Sequence, residues 1–111
     1  MADPGKARIA ENEALYRAIN ERLAAWEERG TAPADERHIF FCECGRETCD
    51  ERIVVTMAEY EQLRADPTRF GVLPGHETLE AERVVERRDG YIVVEKHADV
   101  RDVAERTDPR S

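Results

Sequence analysis

Residues 41–49 read FCECGRETC, and this segment decides the fold because it places all three cysteines of the chain within eight residues. In an extended segment, residues two apart face the same side, so Cys42 and Cys44 can bind one ion. Gly45 permits a turn that brings Cys49 back toward them. An odd number of closely spaced cysteines makes a poor disulfide framework. Reduced thiols, or thiolates bound to a metal, fit this pattern better.

A second segment, residues 74–77, reads PGHE and carries His76 on a predicted Pro-Gly turn. Zinc favours tetrahedral sets of thiolate and imidazole ligands, and three cysteines with one histidine form a common structural combination. The pattern C-x-C-G-x4-C followed by PGHE therefore predicts a zinc site made of Cys42, Cys44, Cys49 and His76.

Two other histidines compete for the fourth position. His38 shares strand parity with Cys42 and Cys44, and His97 follows the last predicted strand. We rank His76 first, His38 second and His97 third. The alternative without a metal is that the cysteines are small buried hydrophobic residues and that His76 is a loop residue satisfied by backbone groups.

The composition limits the class of protein. The chain has 111 residues, of which 41% are hydrophobic and 38% are charged, with a net charge of −8. One small domain is expected, and binding to nucleic acid is disfavoured by the negative charge. No apolar run is long enough to span a bilayer, and the N-terminus lacks the pattern of an export signal. We therefore expect a cytoplasmic protein that does not insert in a membrane.

The first secondary-structure element is a predicted helix over residues 7–29, after a flexible start at 1–6, with Gly30 as its C-terminal stop. Five apolar residues recur at three- and four-residue steps and form a stripe: Leu15, Tyr16, Ile19, Leu23 and Trp26. This stripe either packs on the chain's own sheet or pairs with another helix. A protein partner or a second copy of the chain could therefore bind there.

The remaining patterns alternate between strands and one short helix. Strands are predicted at 38–42, 52–55, 70–73, 82–88 and 91–96. Residues 56–59 read TMAE, a capping box that opens a helix running to about residue 65. The dipeptide Asp89-Gly90 predicts a hairpin between the last two strands. The fold class is α+β, with the long helix packed on a small, mainly antiparallel sheet that carries a zinc knuckle.

These patterns give one α+β domain over residues 7–97, with the knuckle and sheet at 37–97. Residues 98–111 form a polar tail that is either a frayed helix or disordered.

A closed site of four protein ligands leaves zinc no position for water or substrate, so the predicted site is structural. Glu77 could serve as a general base, but a carboxylate beside a histidine is more simply a solvated charge. The first hypothesis is a non-enzymatic regulatory or protein-interaction module. The rival is an enzyme or a redox sensor with an open or labile zinc-thiolate site, in which Cys49 or His76 leaves the metal.

Several segments together resemble a small uncharacterised family found in actinobacterial genomes. They include residues 12–17 (NEALYR), the cysteine segment, residues 59–61 (EYE), PGHE and residues 91–96 (YIVVEK), and the resemblance spans about residues 8–97. It implies one bacterial, cytosolic unit, and it implies no substrate.

Overall fold

The structure, a computed structural model, describes residues 4–29, 33, 35–46 and 48–110. The predicted stop at Gly30 and the first three residues of the predicted flexible start lie outside this range. The long helix α1 covers Pro4–Arg29 and so begins three residues before the predicted start. The fold is α+β, as predicted.

In the part of the chain that the structure describes, five strands form two antiparallel sheets rather than the single predicted sheet. In the first sheet β1 (Arg37–Phe41) pairs with β2 (Arg52–Thr56), with Phe40 opposite Ile53. In the second, the strand order is β3, β5, β4. These strands cover Arg69–Val72 (β3), Glu82–Arg87 (β4) and Ile92–Lys96 (β5). The predicted hairpin at Asp89-Gly90 joins β4 to β5, and the register between them shifts at Val85.

Helix α2 (Met57–Arg64) follows β2 directly and contributes to the core shared by both sheets. The predicted capping box is present, because the hydroxyl of Thr56 accepts from the amide of Glu59 and the carboxylate of Glu59 accepts from the amide of Thr56. Tyr60 and Leu63 are buried, and the ring of Tyr60 stacks on Phe40 with centroids 4.5 Å apart. The core therefore lies between α2, the β1–β2 pair and the face of β3 and β5.

Helix α1 packs on the rest of the protein through a face that the apolar stripe did not predict. Three alanines alternate on the buried face with three polar residues: Ala10, Glu13, Ala14, Arg17, Asn20 and Ala24. Of the predicted stripe, Leu15, Ile19 and Trp26 are exposed, while Tyr16 and Leu23 are partly buried. Of the two interpretations of the stripe, packing on the chain's own sheet therefore does not hold for the exposed Leu15, Ile19 and Trp26. The polar residues can be buried because each finds a partner elsewhere in the chain: Lys96 for Glu13, the carbonyl of Ala104 for Arg17, and Glu43 for Asn20.

Residues 98–110 are folded and packed on the rest of the protein, whereas the sequence predicts either a frayed helix or a disordered tail. A 3₁₀ turn at Ala98–Val100 leads into α3, Arg101–Arg106. Val100 and Val103 pack with Ala10 in a second apolar cluster. Arg17 of α1 donates hydrogen bonds to the carbonyl of Ala104 and to the hydroxyl of Thr107. Contacts with α1 thus order residues whose own sequence is mostly polar.

Among the residues that the structure describes, no helix is both long enough and apolar enough to cross a bilayer.

Candidate metal centre

The structure brings together the four residues that the sequence selected as metal ligands. One ligand atom from each of Cys42, Cys44, Cys49 and His76 lies within 4.8 Å of every other. All three cysteines are free thiols. Cys42 and Cys44 are buried, while Cys49 and His76 are partly exposed. The cluster therefore lies at the edge of the core, with its cysteine pair inside and its other two residues toward the surface.

The distances to the imidazole match those of a tetrahedral site. Nδ1 of His76 lies 3.7 Å from Sγ of Cys42 and 3.6 Å from Sγ of Cys49. With Zn–S about 2.3 Å and Zn–N about 2.0 Å, tetrahedral angles give a sulfur–nitrogen distance of about 3.5 Å. The imidazole is therefore placed at the spacing that a shared zinc ion requires.

The cysteine segment continues from the end of β1. The amide of Cys42 donates to the carbonyl of Glu51, which extends the β1–β2 pairing by one residue. A turn then brings Cys49 back, with its amide donating to the carbonyl of Arg46. The direction of the extended strand and this turn together place the three thiols on one side.

Helix α1 covers the cysteine loop and holds it from outside. The side-chain amide of Asn12 donates to the carbonyl of Gly45, and the hydroxyl of Tyr16 donates to the carbonyl of Cys49. Gly45 meets Ile9 so closely that a Cβ at this position would lie 2.3 Å from Cγ2 of Ile9. Gly45 is therefore required for the close approach of α1, whereas its φ is not positive, so the turn itself does not demand a glycine there.

His76 lies at the end of the Pro-Gly turn that the sequence predicts. The amide of His76 donates to the carbonyl of Leu73, with Pro74 and Gly75 between them and φ of Gly75 at 91°. A type II turn takes proline at its second position and glycine, with positive φ, at its third. Arg46 donates to the carbonyl of Gly75, which links this turn to the cysteine loop.

A hydrogen bond between two of the thiols favours the thiolate form of Cys44 and the neutral form of Cys42. The thiol of Cys42 hydrogen-bonds to Cys44 and, with the amide of Arg46, lowers the pKa of Cys44 to about 4, although burial opposes this shift. The same interaction with Cys44, together with burial, raises the pKa of Cys42. The amide of Leu73 lies 3.3 Å from Sγ of Cys42 and donates to it. The thiolate is the form of cysteine that binds metals, so these donors suit a metal site.

Sequence reasoning missed Glu43, the residue between the paired cysteines. Its fully buried carboxylate accepts from both terminal nitrogens of Arg64, at 2.8 and 2.6 Å, and from the side chain of Asn20. It also accepts from the amide of Gly71, whose carbonyl accepts from the amide of Glu43. The alternation that places Cys42 and Cys44 on one side directs Glu43 to the other, into the core. The alternation of an extended segment was therefore the sequence signal that the charged side chain of Glu43 would be buried.

The competing residues have other contacts. Nε2 of His38 lies 3.7 Å from the carboxylate of Glu36, and Nε2 of His97 lies 3.0 Å from the carbonyl of Leu79. Neither joins the cysteine cluster. Glu77 accepts a hydrogen bond from the amide of Gly75 and so caps the turn that carries His76.

No protein-family model, no curated protein and no solved structure matches this chain.

Proposed function

We propose that this chain is a zinc-binding protein in which a closed site of Cys42, Cys44, Cys49 and His76 stabilises a small regulatory or protein-interaction module. The observation that carries the proposal is the convergence of four ligand atoms, from the cysteine segment and the separate turn that carries His76, within 4.8 Å. Soft thiolates with one imidazole select zinc over magnesium or calcium, which prefer oxygen ligands. We also propose a bacterial, cytoplasmic protein of the actinobacterial family that the sequence resembles.

A structural role is supported by what surrounds the cluster. Four protein ligands complete the tetrahedral coordination of zinc and leave no place for substrate. The backbone of the cysteine loop and of the histidine turn is bound by Asn12, Tyr16 and Arg46. Ligands fixed in this way support one closed geometry, and zinc bound to them contributes directly to the free energy of folding.

Native mass spectrometry of protein purified without chelator or added metal tests the proposal, since it reports metal per chain. We expect one zinc per chain. We also expect His76→Ala to lose stoichiometric zinc, because the fourth ligand is gone, while the matched variants His38→Ala and His97→Ala retain it. Protein that stays free of metal after anaerobic handling with zinc supplied would overturn the proposal. Retention of zinc by His76→Ala and its loss from His38→Ala would overturn the assigned ligand.

A second candidate function is an enzyme or a redox sensor, and one observation favours it. Cys49 and His76 are the two partly exposed members of the cluster, so an oxidant or substrate could reach them first. Mild peroxide treatment separates the two functions. Release of zinc at low peroxide would support the labile site, while retention of zinc, with four protein ligands and no bound water seen by X-ray absorption, would support the structural site.

A further inference from the structure

Helix α1 presents an exposed face that the fold leaves uncovered. Leu15 and Trp26 are 60% and 72% exposed, and Ile19 is 36% exposed. Contiguous apolar residues of this size on the surface of a small protein mark interaction sites. Among the described residues, nothing in the chain packs over this face.

The spacing along this face is that of a helix pair. Glu11, Leu15, Ala18, Arg22 and Ala25 follow one another at alternating steps of four and three residues. The first four of these positions are symmetric about the point between Tyr16 and Arg17. An antiparallel copy of α1 therefore presents the same pattern in register, which is the self-complementarity that a two-fold interface needs.

The charges on the face agree with this antiparallel register. When Leu15 faces Ala18 of a second copy, Glu11 faces Arg22 of that copy, and two-fold symmetry repeats both pairs. Both charged residues are exposed, and neither makes a side-chain hydrogen bond or ion pair among the described residues. In this register the large Leu15 also meets a small residue, which allows the two helices to approach closely.

The same register also brings the exposed Trp26 against the second copy of the helix. It lies level with Ala7 of the second copy, over a hollow lined by Gly5, Ala7, Arg8 and Glu11. A smaller hollow between Leu15, Ala18, Ile19 and Arg22 lies at the centre of the face.

We propose that the protein forms a homodimer through antiparallel pairing of α1, with Glu11–Arg22 ion pairs on both sides of a Leu15–Ala18 centre. The dimer rests on the proposed function in one respect, because it makes a second copy of the chain the partner of the proposed interaction module.

Charge reversal provides the test. We expect wild-type protein to show a monomer–dimer equilibrium in sedimentation over about 1 to 200 μM, a range suited to a small interface. Glu11→Arg and Arg22→Glu should each weaken dimerisation about tenfold, because each replaces two attractions with two repulsions. The double variant should restore wild-type dimerisation. The matched control Glu80→Arg with Arg87→Glu, which reverses two exposed charges elsewhere, should leave it unchanged.

Trp26 is the only tryptophan in the chain, so its fluorescence gives a second readout. Its emission should shift to shorter wavelength as dimers form, and the single charge reversals should move that transition to higher concentration. A wild-type protein that stays monomeric throughout, or a double variant no better than the single ones, would overturn the proposal. Binding of α1 only to a different protein would overturn it as well. Native mass spectra of the same samples count zinc, so monomers with one zinc per chain reject the dimer alone, and dimers without zinc reject the metal site alone.

Discussion

The carboxyl group of Glu13 lies in the interior of the protein, against the ammonium group of Lys96. The same ammonium donates at 2.8 Å to Glu82, so one buried cation serves two buried carboxyls. Burial, and then the charge of Glu82, raise the pKa of Glu13 well above its ordinary value of 4.5, although Lys96 opposes the shift. In the folded protein Glu13 therefore keeps its proton at pH values at which the same carboxyl is ionised in the unfolded chain.

The raised pKa of Glu13 predicts a pH dependence of stability. A carboxyl whose pKa is higher in the folded chain stabilises the fold below its ordinary pKa, and that contribution is lost as the pH rises toward the raised value. Glu13→Gln cannot ionise and keeps an oxygen for Lys96. We expect its free energy of unfolding in urea to exceed that of the wild type by a margin that grows between about pH 5 and pH 8.

The control for this series is Glu80→Gln, an exposed residue carried through the same pH values at saturating zinc. Changes in zinc occupancy with pH affect both variants equally and cancel in the comparison. A constant margin between Glu13→Gln and the wild type at all pH values would contradict the prediction.

At the scale of elements, segment 42–44 joins the two sheets. Cys42 extends the β1–β2 pairing through the carbonyl of Glu51, and Glu43 pairs with β3 through the carbonyl of Gly71. Glu43 ties this segment to α2 by its ion pair with Arg64, and the guanidinium also lies over the rings of Tyr60 and Phe70. Two of the proposed metal ligands, Cys42 and Cys44, thus lie on a segment whose opposite side is fixed by a buried charge pair.

Removing the charge of one partner in the Glu43–Arg64 ion pair should lower the free energy of unfolding. Glu43→Gln leaves the guanidinium of Arg64 buried without its counter-charge, and we expect a loss of about 3 kcal/mol in the free energy of unfolding. The double variant Glu43→Gln with Arg64→Met removes the unpaired charge and should recover part of that loss. Urea unfolding of the single and double variants checks this. A double variant less stable than Glu43→Gln would show that the charge pair is not the cause.

The approach of α1 to the cysteine loop gives a second prediction at this scale. Gly45→Ala places a methyl group against Ile9, at 2.3 Å from its Cγ2 and 3.0 Å from its Cα, so α1 or the loop must move. We expect a loss of about 2 kcal/mol in stability, within the range for overpacking. Adding Ile9→Ala removes the nearer clash and should restore zinc retention in competition with a chelator, relative to Gly45→Ala alone. Unchanged zinc retention in Gly45→Ala would contradict the prediction.

For the molecule as a whole, the proposed zinc joins parts that are distant in the sequence. The apolar core is modest for a chain in which 38% of the residues are charged, and several charges lie inside it. Small domains of this size are marginally stable, and structural zinc can supply a large share of their folding free energy. The cluster lies where the end of β1, the cysteine loop and the turn after β3 meet.

Removal of the metal should therefore destabilise the whole fold. We expect a strong chelator to lower the free energy of unfolding by at least about 3 kcal/mol and to increase hydrogen exchange at the amides of Cys42, Glu43 and Leu73. Cys44→Ser, which lacks a ligand, serves as the control and should show no further loss with chelator. An equal response of both proteins to the chelator would exclude a stabilising metal.

Local sequence determined the elements and the candidate ligands. The capping box at Thr56, the Asp89-Gly90 hairpin and the Pro-Gly turn before His76 depend on backbone preferences of a few neighbouring residues, and each was predicted. The convergence of Cys42, Cys44 and Cys49 follows in the same way from strand alternation and one turn. The capping box, the hairpin turn and the Pro-Gly turn need no contact from elsewhere in the chain, whereas the cysteine loop is also held by Asn12 and Tyr16 of α1.

Tertiary structure alone decided which face of α1 is buried and which partners the buried charges have. The apolar stripe predicts burial, yet Glu13, Arg17 and Asn20 lie inside because residues up to 90 positions away pair with them. A long-range ion pair or hydrogen bond leaves no periodic signal in the sequence of either partner. The packing of α3 and the division into two sheets likewise depend on contacts between segments, so they became visible only in the folded chain.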